Sequence, residues 1–246
     1  MVAVEPTLPS LSTPFALFAR TCIVIPALDA EKTIGAVIDD VRRAIPECSG
    51  NVLVVDDGST DATAAIAQER SCVVVSHGKN RGKGAALRTA FATAAARGFD
   101  VALTVDADGQ HPADEARRVL LAELDADVFV LGVRDLVRDG APRANVISNG
   151  ISNYFLSRFS RRALRDTQCG LRRYPIRDTL ALAPRGDGYD FEAEVLLRAC
   201  RNPTFRDRVH EITVRVVYPP ARVTHFRVAR DPWRIIRTVV ATMLER

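Results

Sequence analysis

The sequence predicts an α/β domain built on a mostly parallel central sheet, and three observations carry that reading. Short apolar runs recur without polar alternation, as in Cys22-Ile23-Val24-Ile25, Val52-Leu53-Val54-Val55 and Cys72-Val73-Val74-Val75. Such runs mark strands buried on both faces. Segments of helical period separate them, which implies βαβ crossovers with helices on both faces of the sheet. Polar and acidic residues collect where the runs end, and open parallel sheets bind ligands beyond the carboxyl ends of their strands.

The elements follow in order. The first run ends at Pro26, and residues 32–44 have helical spacing through Ile34, Val37, Ile38 and Val41. The second run ends at Asp56-Asp57-Gly58 and leads into a helix over 61–67. The third run precedes an Ala-rich helix over 82–97. Val101-Ala102-Leu103-Thr104-Val105 is a fourth strand closing on Asp106, and Val128-Phe129-Val130-Leu131 is a fifth. The second half is less regular. Residues 144–159 carry an apolar stripe at Ile147, Ile151, Phe155 and Phe159; residues 191–200 read as a helix and 209–217 as a strand. Asp231-Pro232 opens a last helix, with Asp as N-cap and Pro in the first turn. The expected organisation is a flexible arm over 1–20, one α/β domain over 21–220 and a basic amphipathic helix within 221–246.

Bulk properties narrow the function. A chain of 246 residues is long enough for one large domain. A net charge of +4 is too mild to indicate nucleic acid. Two stretches, 134–173 and 222–246, are rich in arginine and poor in acids, which suits anionic substrates or lipid head groups. Five cysteines without a CxxC pair fit a reducing, cytoplasmic setting better than a disulfide framework or a zinc site. No basic residue precedes Arg20, so the start does not read as a secretory signal. No apolar run reaches the roughly 18 residues that a span needs.

Three polar segments carry chemistry. In Asp106-Ala107-Asp108-Gly109-Gln110-His111, alternate residues share a side, so Asp106, Asp108 and Gln110 offer two carboxylates and an amide oxygen. That hard, incomplete shell suits Mg²⁺ or Mn²⁺, with water and a diphosphate completing it. In Asp56-Asp57-Gly58-Ser59-Thr60-Asp61 one carboxylate can accept a nucleobase N–H, while Thr60 or Asp61 caps the next helix. His77-Gly78-Lys79-Asn80-Arg81-Gly82-Lys83-Gly84 fails the Walker spacing, yet a basic, glycine-rich helix start around Lys83 can touch an anion.

Taken in order with Val24-Ile25-Pro26-Ala27-Leu28-Asp29-Ala30-Glu31, these motifs resemble family 2 glycosyltransferases of the GT-A fold. The resemblance is closest to the dolichyl-phosphate mannosyltransferase and polyprenyl-phosphate glycosyltransferase branch. Asp166-Thr167-Gln168-Cys169-Gly170-Leu171-Arg172 is similar to that branch's Asp-x-x-x-Gly-Phe-Arg segment, and Asp190-Phe191-Glu192-Ala193-Glu194 to its acidic helix start. One departure is that Leu28-Asp29-Ala30-Glu31 stands where Tyr-Asn-Glu is usual, with one residue extra.

The resemblance implies a nucleotide-diphosphate sugar donor, with Pro26, Glu31, Asp56 and Asp57 around the nucleoside and Lys83 and Asp106 near its phosphates. It implies Asp106, Asp108 and Gln110 as holders of Mg²⁺ or Mn²⁺, and Arg134, Arg143 and Arg172 as contacts to an acceptor phosphate. Inverting transfer to a polyprenyl phosphate would turn on Asp108 and Arg134. A sugar-hydroxyl acceptor would need a base, for which Asp166 is the candidate; its other reading is to orient Arg172. The two amphipathic helices suit peripheral contact with the cytoplasmic face of a membrane, core packing or a homo-oligomer. A pyrophosphorylase or a non-catalytic nucleotide-sugar sensor are the rival classes.

Overall fold

The computed structural model describes residues 13–218 and 231–244. Strands β1 (Thr21–Ala27), β2 (Val52–Asp56), β3 (Val73–Ser76), β4 (Val101–Thr104), β5 (Phe129–Arg134), β6 (Arg172–Pro175) and β7 (Val209–Val214) form one seven-stranded sheet among the described residues. Its order is β3-β2-β1-β4-β6-β5-β7. Neighbours run parallel except β6, which lies antiparallel between β4 and β5. Nine helices complete the described chain: α1 (Pro14–Ala19), α2 (Ile34–Ala44), α3 (Thr63–Glu69), α4 (Lys83–Ala96), α5 (Ala113–Leu121), α6 (Arg143–Ser160), α7 (Ile176–Ala181), α8 (Asp190–Arg201) and α9 (Asp231–Leu244).

Strand pleating sends successive side chains to opposite faces, and the apolar runs therefore supply two cores. Ile23, Ile25, Val52, Val54 and Leu103 pack with Ile34, Ile38 and Val41 of α2 and Val119 of α5 on one face. Cys22, Val24, Leu53, Val55 and Ala102 pack with Leu87 and Phe91 of α4, Leu196 of α8 and Val239 of α9 on the other. Helices thus cover both faces, as expected for a GT-A domain.

Two features differ from the sequence reading. The arm over 1–20 is not loose throughout. Thr13 Oγ1 accepts from Ala16 N at 3.2 Å, Pro14 sits in the first turn, and α1 buries Leu17 and Phe18 in the core. Thr-Pro is a helix-start signal, and two adjacent large apolar residues give the short helix something to bury. Residues 1–12 lie outside the described residues, as do 219–230 of the C-terminal segment. The other difference is β6, whose Arg172-Arg173 pair suggests surface but is fully buried. Arg173 donates to the carbonyls of Leu120 (2.8 Å), Glu123, Asp125 (2.5 Å) and Val128 (3.2 Å), satisfying the open end of α5.

Docking of α1 is directly measurable. Leu17→Ala should cost about 2–5 kcal/mol in a denaturant titration, as for other buried leucines. An unchanged midpoint would mean that α1 contributes nothing to the core.

Candidate active site

The carboxyl ends of β1, β2, β4 and β5 and the antiparallel start of β6 meet along one edge of the sheet. There the loop after β4 delivers Asp106. Its Oδ1 lies 2.7 Å from Lys83 Nζ, and the same ammonium is 3.1 Å from Glu192 Oε2. Lys83 begins α4 and Glu192 sits in the first turn of α8, so three distant segments converge on one half-buried cation. Burial opposes charge on both partners, but their attraction outweighs it. The Lys83 ammonium is held above its usual range and the Asp106 carboxyl below its own. Glu192 Oε1 is buried without a hydrogen-bond partner. Gly170 presses against Asp106; a Cβ there would stand 2.1 Å from Asp106 Oδ2 and would displace the carboxylate.

Asp108 and Gln110 close on one another. Gln110 N donates to Asp108 Oδ1 at 3.0 Å and Gln110 Nε2 to Oδ2 at 2.6 Å. The donor set of two carboxylates and an amide has the hard-oxygen chemistry that a divalent cation takes. Among the described residues, no group of three His, Cys, Asp or Glu side chains is gathered as a metal cluster. Next to this loop, burial lowers the His111 imidazole to about 4, so it is neutral near pH 7, and its Nδ1 has no partner.

Arg134, at the end of β5, is fixed by Asp166. Asp166 Oδ2 accepts from Arg134 N at 3.1 Å and Nε at 2.7 Å, and Oδ1 from Arg134 Nη2 and Gln168 N at 3.0 and 3.1 Å. Burial would raise the Asp166 carboxyl, but the guanidinium overrides it and holds it low. The sequence reading of Asp166 as a base is therefore corrected: both oxygens are engaged, and the residue orients Arg134 rather than Arg172. Arg172 is corrected as well. It is fully buried, and its guanidinium donates to the carbonyls of Cys169, Thr167 and Glu192 at 2.6, 2.8 and 3.2 Å. It braces the turn into β6 and presents nothing to an acceptor. Arg143 stands exposed at the start of α6.

The presumed nucleoside side is more closed than the motifs suggest. Asp57 is buried and its carboxylate accepts from His77 Nδ1 (2.6 Å), Arg81 N (3.0 Å) and Gly82 N (2.7 Å), taking His77 as the donating tautomer. It clamps the loop over 77–82, a structural task beside the nucleobase contact expected of it. Asp56 is buried beside it and accepts from Ser59 N at 3.1 Å. Pro26 is half-buried in β1, opposite Val55. Glu31 is exposed; its carboxylate accepts from Ala62 N at 3.3 Å while its own N–H donates to Asp61 at 3.1 Å. The start of α4 does not offer its first amides to an anion either. Gly84 N and Ala85 N donate to the carbonyl of Asp187 at 2.8 and 3.2 Å.

The profile described as glycosyl transferase family 2 matches residues 22–176, more than half of the chain. The chain belongs to glycosyl transferase family 2. This glycosyltransferase is 32% identical over 197 residues to polyprenol monophosphomannose synthase of Mycolicibacterium smegmatis, covering 74% of this chain and 73% of that one. It is 26% identical over 221 residues to the UDP-N-acetylglucosamine–dolichyl-phosphate N-acetylglucosaminyltransferase of Methanococcus voltae, with 80% and 85% covered. In fold it is similar to glucosyl-3-phosphoglycerate synthase of Mycobacterium tuberculosis, solved with Mn²⁺, UDP and glucosyl-3-phosphoglycerate. The TM-score is 0.70 at 22% identity, over 99% of this chain and 85% of that one.

Glu192, His111 and Gly170 were quoted in the motifs without a site role. Glu192 had a readable signal: it lies in a helix start with apolar neighbours Phe191, Ala193, Val195 and Leu196, where a carboxylate must find a partner.

The Arg134–Asp166 pair makes a testable stability claim. Asp166→Asn strands a buried guanidinium and should cost about 3–5 kcal/mol. The Asp166 carboxyl is depressed on folding, so its contribution is intact above its unfolded value of about 3.9 and is lost as pH falls towards the folded one. Wild type should therefore lose more stability than the variant between pH 5 and pH 2; parallel pH profiles would contradict this.

Proposed function

We propose that this glycosyltransferase moves a sugar, with inversion, from a nucleoside-diphosphate sugar to a polyprenyl phosphate at the cytoplasmic face of a membrane. The observation that carries the lipid acceptor is the orientation of α6, which is the reverse of a core helix. Its buried face is Ser148, Asn149, Ser152, Leu156 and Ser160, while Ile147 (63% exposed), Ile151 and Tyr154 (67% exposed) face outward. The inward polar face has its own work. Ser152 and Ser148 accept from Gln168 Nε2 at 2.8 and 3.3 Å, and Asn153 Oδ1 accepts from Thr167 N at 2.9 Å. The outward apolar stripe follows Arg143 and is exposed among the described residues. Val137 in the preceding loop and Trp233, Val240 and Leu244 of α9 add exposed apolar surface. Apolar area rimmed by arginine suits a lipid interface. No described helix is long and apolar enough to cross a membrane, so contact from the side is the mode this surface supports. The two named relatives, one acting on a polyprenol and one on a dolichyl phosphate, point the same way.

The chemistry follows from which groups bring anions together. A phosphomonoester has a second pKa near about 6 and is largely dianionic at neutral pH, so it needs no strong base to attack the anomeric carbon. A sugar hydroxyl would need one, and Asp166 is sealed against Arg134. Asp106, Asp108 and Gln110 would hold Mg²⁺ or Mn²⁺, and Lys83 would stand beside the donor diphosphate. A bound divalent ion supplies charge stabilisation for the departing nucleoside diphosphate. Lys83 adds a fixed positive charge on the same side. Arg134, pre-aligned by Asp166, and Arg143, at the mouth of the α6 stripe, receive the acceptor phosphate.

The test is to incubate labelled UDP-glucose, GDP-mannose and related donors with undecaprenyl phosphate and Mg²⁺, reading organic-extractable product by mass spectrometry. Label in a lipid-linked sugar supports the proposal; transfer only to free sugar, polysaccharide or a small phosphorylated acid contradicts the acceptor. Excess EDTA should abolish transfer, and undiminished turnover would remove the metal assignment. Ile147→Asp with Ile151→Asp should weaken cosedimentation with anionic vesicles about tenfold or more, since each isoleucine contributes about 1.5–3 kcal/mol on leaving water. Both side chains are exposed, so the melting temperature should hold. Unchanged vesicle binding, or a stable lipid-free dimer disrupted by the same pair, would assign α6 to a different contact.

A further inference from the structure

A strap over 183–189, between α7 and α8, joins the Lys83 cluster to α9. On its inner side the Asp187 carbonyl takes the first amides of α4, and Arg88 of α4 donates to the Gly186 carbonyl and the Asp187 carboxylate. The Tyr189 ring centroid lies 5.6 Å from Lys83 Nζ. Gly82 permits this approach, with φ at 99° and a would-be Cβ 2.2 Å from the Asp187 carbonyl oxygen. On its outer side the strap ends in Asp190, a buried carboxylate that opens α8. Asp190 Oδ1 accepts from Gly188 N and from Arg234 Nε, both at 2.9 Å. Its Oδ2 accepts from Thr238 Oγ1 at 3.0 Å. Arg234 also lies across Gly188, where a Cβ would come within 3.0 Å of its Nη1. Two residues past Asp190 is Glu192, which holds Lys83 against Asp106.

Helix α9 therefore has two jobs on two faces. Ile235 and Val239 enter the core and Arg234 and Thr238 clasp Asp190, while Trp233 (72% exposed), Val240 and Leu244 face outward. We propose that Arg234 and Thr238 are positioning residues for the sugar donor. By clasping Asp190 they fix the strap and the first turn of α8, and so fix the Lys83–Glu192 pair beside which the diphosphate binds. This rests on the assignment of the donor diphosphate to the Lys83 cluster. It makes α9 a part of the donor site and not a detachable anchor. By linkage, a donor that orders the strap also steadies the helix whose outer face meets lipid.

The chain has a single tryptophan, Trp233, next to Arg234, which gives a direct readout without lipid or turnover. The full chain is titrated with UDP and with GDP, each with Mg²⁺, while heat and Trp233 emission are followed. The expected result is an emission change that saturates together with the heat. Arg234→Gln should weaken nucleotide binding about fivefold or more and remove the emission change. Arg234→Lys, which keeps the charge, should retain most of both. Circular dichroism melts of each variant separate loss of fold from loss of clasp; if Arg234→Gln does not fold, Thr238→Val decides with a smaller drop of the same sign. Wild-type binding with silent Trp233 emission overturns the proposal, as does unchanged affinity in the folded variants, and either leaves the donor reading standing. Absence of binding by both nucleotides removes the donor reading and this proposal with it.

Discussion

A largely desolvated ammonium needs anionic partners close by, and the arrangement of this edge of the sheet follows from supplying them to Lys83. Its two carboxylate partners come from the loop after β4 and from the first turn of α8. The partly desolvated charges favour staying paired, so the three segments hold one another in place. The glycines nearby read as consequences. Gly170 leaves room for the Asp106 carboxylate, and Gly82 and Gly84 let the strap lie across the start of α4. The strap then takes the amides that an anion would otherwise find at that helix end. Positive charge at this edge is thus delivered by side chains, chiefly Lys83 and Arg134, and not by an open helix terminus.

The second constraint is the polar interior of α6. Serine and asparagine line its inner face because the segment over 165–168, which carries Asp166, needs hydrogen-bond partners there. That segment fixes Arg134 through Asp166. A helix that spends its inner face on polar bonds has its isoleucines left for the outside. The apolar stripe and the aligned arginine are two results of the same packing choice, and together they support the proposed amphipathic, phosphate-bearing acceptor. Membership of glycosyl transferase family 2 sets the reaction class; this pairing is the basis for the acceptor proposed within it.

Much of the fold was legible in the sequence because its signals are local. Apolar runs such as Val52-Leu53-Val54-Val55 can only be strands buried on both faces, and their acidic ends mark the ligand edge. What escaped is what depends on distant partners. β6 was missed because Arg172 and Arg173 look like surface residues; nothing nearby reveals that backbone carbonyls await both guanidinia. The clamp of Asp57 on His77 and the amides after it is not legible locally because those partners belong to the next loop. Asp166 read as a base because Arg134 reaches it only after β5 and β6 pair. The strand ends that carry the motifs lie along one edge of the sheet, while the contacts of each motif residue are set by three-dimensional neighbours.

Lys83, paired with Asp106 and Glu192, is proposed to exchange Asp106 for the donor diphosphate. The most direct measurement is a crystal structure with Mn²⁺ and a nucleoside diphosphate, with manganese located by its anomalous signal. The account predicts manganese against the carboxylates of Asp106 and Asp108, with the Lys83 ammonium turned from Asp106 to the diphosphate and still held by Glu192. Manganese and diphosphate bound elsewhere on the chain, with the Lys83–Asp106 pair undisturbed, would contradict it.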